Sequence, residues 1–131
     1  MPKSTPRPVL WMDEPEAHDF PAAAAYLTLV ASDAEVTDLV EAMKAAPTTH
    51  QKAKDILRAS GLPALDVANP HVDSDLKKIA AGRPLSPVLM VRGDLTAGRP
   101  AVVADGYHRV CASYHTDENT DIPVRLVDRP S

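Results

Sequence analysis

Aspartate, glycine, histidine and arginine occur within five positions in Asp105-Gly106-Tyr107-His108-Arg109, directly after the apolar run Ala101–Ala104. The pattern predicts a buried strand that turns at Asp-Gly into a helix starting at Asp105 or Gly106 and running through about His115. Such a helix carries two potential cations in its first turn. That turn is where the backbone N–H groups have no intrahelical partner and where the macrodipole is already positive. Cations are unfavourable there unless an anion joins them. Free N–H groups, an arginine fork and a glycine that admits close approach together make an anion site suited to phosphate. Asp105 is expected to cap the helix and to orient His108 or Arg109. A plainer reading uses the same residues. His108 and Arg109 would pair with Asp117, Glu118 or Asp121 on the surface, and Gly106 would serve only the turn.

Other chemistry-bearing residues are more scattered. His108, Cys111 and His115 recur at i, i+3 and i+7, which puts three metal-ligand types on one helix face. A metal would need a fourth ligand, and Arg109 would lie beside it, so no metal is assigned. Cys111 is expected to pack as a small apolar group. Lys77 and Lys78 form a solvated helix face from which one lysine could reach a phosphate. Asp13, Glu14, Glu16, His18 and Asp19 crowd a proline-punctuated loop. On local pattern these acids are solvated, with Asp19 capping the next helix.

The elements that must position these groups follow from periodicity. Residues 1–8 have none and are expected to be a loose tail. Val9–Met12 forms a short strand or an extended packing segment. A helix begins at Pro21 and ends near Ala31, with Ala22, Ala23, Tyr26, Leu27 and Val30 on one face. Ser32 and Glu35 form a capping box for a second helix over about 33–46. Pro47 breaks it, and Thr48 and Thr49 re-cap a third helix that ends at Gly61. The first half is thus read as helical. After a composition boundary near Leu62, the expected order is a strand at Leu65–Val67, a turn at Asn69-Pro70-His71, and a short helix capped by Asp73 or Ser74 and closed by Gly82. A strand at Pro87–Val91, a loop at Gly93–Pro100, the Ala101–Ala104 strand, its helix and a last strand at Ile122–Val127 complete the chain. Trp11, Tyr26 and Leu27 are expected to seal the contact between the halves. The fold class is α+β, organised as an N-terminal tail and helical extension, 1–61, packed on a mixed-sheet domain, 62–131, within one structural unit.

Residues 64 to 127 resemble the ParB/sulfiredoxin-like superfamily. The resemblance rests on Leu65–Val67 and its polar turn, on the Pro-then-apolar strand Ser86–Val91, and above all on Asp105-Gly106-Tyr107-His108-Arg109 before an alanine-bearing helix and an Ile-Pro-Val strand. It implies a small mixed sheet with helices, and a nucleotide whose phosphates bind at Asp105, Gly106, Tyr107, His108 and Arg109, with His71 in the turn contributing to the pocket. Some members phosphorylate free serine with a carboxylate near the N-terminus. By that resemblance Glu14, Glu16, His18 and Asp19 are the candidate general bases, since a carboxylate or imidazole can take the proton of an attacking hydroxyl during phosphoryl transfer. The implied ligand is a small phosphorylated molecule or a nucleotide such as ATP or ADP, with Mg²⁺. Two departures limit the transfer. Sulfiredoxin has its cysteine where this chain has Tyr107, which disfavours sulfinic-acid reduction. The partition proteins continue into a DNA-binding helical module that is not seen after Val127.

Composition sets the outer bounds. The 131 residues, 44% hydrophobic and 24% charged, suit one globular domain and not a disordered chain. A net charge of -4 disfavours nucleic-acid partners, and the Lys52, Lys54 and Arg58 stripe follows an acidic helix, so a helix-turn-helix is not expected. No apolar run reaches the roughly 20 residues of a membrane span. Cytoplasmic localisation is the expectation, and a lone cysteine fits a reducing compartment. Alanine-rich helices could leave an apolar face for a homodimer. The reading is a phosphate- or nucleotide-binding protein, as a phosphoryl-transfer or phosphoesterase enzyme or as a non-catalytic nucleotide-sensing or protein-interaction module. DNA binding or nuclease action ranks below both.

Overall fold

The computed structural model describes residues 8–130, so the expected tail lies almost wholly outside the described residues. Its centre is strand β2 (Val88–Val91), every residue of which is buried. β2 pairs in parallel with β4 (Asp121–Val127) and antiparallel with β3 (Val102–Asp105), and β4 also pairs antiparallel with β1 (Thr48–Lys52), giving the order β1-β4-β2-β3. This is the expected α+β class, with a mixed sheet.

Alternation along the strands divides the core in two. Val88, Met90, Val103, Ile122 and Val124 pack with α3 (Ala53–Ser60), α4 (Pro70–Ala80) and α5 (Tyr107–Thr116). Leu89, Val91, Ala104 and Val127 pack with α1 (Asp19–Leu27) and α2 (Asp33–Ala45). The sheet is therefore covered on both faces, which is why β2 is a continuous apolar run without polar alternation.

Several local expectations hold. The Ser32 hydroxyl accepts from the Glu35 N–H while Glu35 accepts from the Ser32 N–H, closing the start of α2. Gly61 ends α3 at φ 65° in the left-handed region. Val9–Met12 is extended: Met12 N–H donates to the Leu85 carbonyl at 2.8 Å, and Leu85 N–H to Leu10. Trp11 packs against the α3–α5 core and Leu27 is buried, but Tyr26 stays exposed and seals nothing.

Other expectations are corrected. The first half is not wholly helical: Thr48–Lys52, expected to cap a helix, is an edge strand whose backbone groups find partners on β4. The polar run Thr-Thr-His-Gln-Lys lacks an apolar face, so only that pairing makes it a strand. β1 also separates α2 from α3, which rules out a helix-turn-helix there. Leu65–Val67 is not a strand, because side chains of α5 satisfy its backbone: Leu65 N–H donates to Cys111 Sγ and the Leu65 carbonyl meets His115 Nε2. α4 starts earlier than expected, capped by Asn69, whose Oδ1 accepts from the N–H groups of His71 and Val72. α1 starts at Asp19, two residues before Pro21, and ends at Leu27. No helix among the described residues is long and apolar enough to cross a membrane.

Arg125 joins the first-half strand to the second. It is almost fully buried on β4 and donates to Thr48 Oγ1 of β1 and to the carbonyls of Met43 and Lys44 near the end of α2. Those carbonyls have no helical partner, and a cation suits that end of the dipole.

Candidate functional site

β3 ends at Asp105 and the chain turns on Gly106 into α5. Gly106 adopts φ 114°, and a Cβ there would come within 2.9 Å of both Arg109 Nη2 and Val88 Cγ2. Glycine is required on both counts. Its position as N-cap has a further consequence: α5 receives no side-chain cap. Among the described residues, no acceptor meets the N–H groups of Tyr107, His108 or Arg109. The expectation that Asp105 caps the helix is corrected. Its carboxylate accepts from Arg109 Nη2 at 2.8 Å, one turn along, and that same nitrogen donates to the Pro87 carbonyl at 3.1 Å. Arg109 Nε is buried without an acceptor among the described residues.

This turn forms the floor of an open cleft of about 480 Å³. One wall comes from α4, with His71, Ser74, Asp75 and Lys78, and a second from Arg83 to Ser86, the segment leading to β2. The third comes from the acidic loop, with Met12, Glu16 and His18. The sequence candidates Glu16, His18, His71, Asp105, Gly106, His108 and Arg109 thus share one cleft, although they lie as far apart in the chain as residues 16 and 109.

The remaining candidates fall elsewhere. Glu14 is exposed and does not line the cleft. The Tyr107 hydroxyl donates to the Pro63 carbonyl at 2.6 Å, fixing the loop after α3, and the ring does not face the cleft. Asp19 is buried behind the cleft, where its Oδ2 accepts from the Glu16 N–H and closes the tight turn into α1. Asp19 neither caps α1 nor reaches the cleft surface. Cys111 and His115 are engaged with Leu65, which removes them from any metal set with His108. Ligand-type atoms of Glu16, His18 and Asp19 lie within 4.8 Å of one another, with His18 Nε2 2.9 Å from Glu16 and 3.5 Å from Asp19.

Sequence reading missed Asp75, Ser74, Arg83 and Ser86. Ser74 and Asp75 lie one turn after His71 on α4, so a helical projection from His71 would have found them, and Lys78, expected to be able to reach a phosphate, lines the same wall. Arg83 and Ser86 follow irregular backbone and carry no sequence signal.

The electrostatics are mixed. Burial holds the Asp105 carboxyl above its usual range despite the Arg109 charge, and the neighbouring Asp19 carboxyl, within hydrogen-bonding reach, raises it further. Burial likewise raises Asp75, against the opposing charge of Lys78. Burial lowers His108, and His71 beside it lowers it further. Asp105, Asp75 and His108 are thus each shifted toward the uncharged form by burial in one cleft. Comparison of the chain with protein-family models, curated proteins and solved structures finds no match.

Proposed function

We propose that this cleft binds the phosphate group of a small phosphorylated ligand or nucleotide, and that the protein acts on it by phosphoryl transfer or phosphate-ester hydrolysis. The observation that carries the reading is the uncapped start of α5: three N–H groups without acceptors, at the positive end of a helix, with Arg109 and His108 in the same turn. A phosphate oxygen would supply at α5 the acceptor that Ser32 supplies at α2 and Asn69 at α4. The likeness of Asp105–Arg109 to the ParB/sulfiredoxin-like box agrees with this.

The catalytic half of the reading draws on the opposite wall. Glu16 and His18, paired at 2.9 Å, line the same cleft as the anion floor. A hydroxyl or water approaching phosphorus from that side would lose its proton to this pair, while the departing oxygen leaves in line. For a module that only senses a nucleotide, no proton acceptor would be needed opposite the phosphate. Bases find little to hold them, since no Phe, Tyr or Trp lines the cleft and its apolar lining is limited to Met12, Pro84 and Leu85. This supports a ligand recognised through its phosphate, with ATP or ADP bound chiefly by the phosphate chain.

Thermal shift against inorganic phosphate, ADP and ATP, each with and without Mg²⁺, tests the reading. At least one is expected to raise the melting temperature of the wild type by mass action and to leave Arg109→Ala unmoved. Equal shifts in both proteins would place the binding elsewhere and end the proposal.

A further inference from the structure

His71 and His108 are each the second residue of a helix, α4 and α5, and their ring centroids lie 4.7 Å apart at 39°. Both line the cleft, and neither ring is hydrogen-bonded to a protein group among the described residues. Burial lowers His108, the adjacent His71 ring lowers it further, and the positive start of α5 also disfavours an imidazolium there.

The permanent cations of the cleft are mostly spoken for. Arg109 is paired with Asp105 at 2.8 Å, and Lys78 lies 3.9 Å from Asp75. Arg83 has no ion pair among the described residues. The Glu16–His18 pair stands on the far wall, and the Tyr107 phenol, whose burial raises it, is turned to Pro63. One uncompensated cation balances a singly charged ligand. A phosphate monoester near neutral pH carries close to two charges, its second ionisation lying near pH 6.

Resting on the anion-site reading above, we propose that the His71–His108 pair tunes the cleft for doubly charged phosphate monoesters, one ring taking up a proton as the dianion binds. The step is ligand dianion plus proton plus protein giving the complex, with no covalent change. Affinity for a ligand of fixed charge must then rise as pH falls, by at most about tenfold per pH unit for one proton.

Sulfate is the probe, because its charge does not change between about pH 6 and 8, the range in which histidine titrates. Calorimetric titration of the wild type in two buffers of different ionisation enthalpy is expected to show close to one proton taken up near neutral pH. Affinity is expected to be about tenfold or more higher at pH 6 than at pH 8. His71→Arg installs a permanent charge and should hold sulfate at pH 8 about as tightly as the wild type does at pH 6, with no pH slope. If sulfate binds with no proton uptake and no slope, the proposal falls and the anion site stands. Sulfate that fails to bind, or that binds Arg109→Ala equally well, removes both. A slope that survives in His71→Gln and His108→Gln but disappears in Asp75→Asn assigns the proton to the carboxylate and overturns the proposal. Should the histidine variants misfold, the proton count on Asp75→Asn decides: uptake retained there keeps the proposal, and uptake lost there overturns it.

Discussion

The starts of α2 and α5 are built from opposite choices. At α2, Ser32 and Glu35 satisfy each other's backbone N–H groups, and acidic residues occupy the first turn, where the dipole favours them. At α5 a glycine stands where the cap would be, no acid occupies the first turn, and histidine and arginine take its place. The first helix start is closed by its own residues and has nothing to offer a ligand. The second stays open, held by contacts that do not use up its donors: Arg109 to Asp105 and Pro87, and Tyr107 to Pro63. Local stability has been given up at a helix start that faces the cleft with Arg109 and His108.

That contrast can be broken from either end. The largest effect is expected at the open end. Gly106→Ala forces a side chain into φ 114° and against Arg109 and Val88, which should cost about 1–3 kcal/mol in urea denaturation and weaken phosphate binding together. An alanine tolerated without loss of either would mean that the turn is not set as described. At the closed end, Ser32→Ala should cost about 1 kcal/mol by the same measurement and leave phosphate affinity unchanged. A change in affinity there would show that the two ends are coupled through α1 and the sheet.

The smallest effect is in pH dependence. Hydrogen bonds from the Ser32 backbone and side chain lower Glu35, so its stabilisation is present above its ordinary value of 4.5 and is lost as pH falls through the lowered value. Asp105 and Asp75 are raised by burial, so their linkage has the other sign: protonation favours the folded state as pH falls through the raised values. Glu35→Gln should therefore remove one acid-sensitive contribution to thermal stability below about pH 5. An identical acid profile in the two proteins would place the acid-sensitive group elsewhere.

What was legible in the chain divides along the same line. The capping box, the glycine at the end of α3, the apolar runs of β2 to β4 and the turn at Asp105-Gly106 are read directly, because each is decided by residues within four or five positions. The β1 strand was not legible: Thr48–Lys52 has no apolar face, and its strand conformation exists only because β4 lies alongside. Leu65–Val67 failed for the converse reason. Its composition suits a strand, but Cys111 and His115 occupy Leu65's backbone groups before any ladder can.

The candidate site shows the same division. By itself the sequence determined that α5 would follow a buried strand and a glycine turn with histidine and arginine in its first turn; that the first N–H groups stay open, because Asp105 turns to Arg109 instead of capping them, was decided by the tertiary structure. Only the tertiary structure decided what faces that turn. Packing of α1 and α2 on one face of the sheet and α3 to α5 on the other carries Glu16 and His18 to the same sheet end as Arg109, sets His71 against His108, and turns Tyr107 away to Pro63. Those placements depend on apolar burial summed over elements dozens of residues apart, a quantity that no local window of sequence contains.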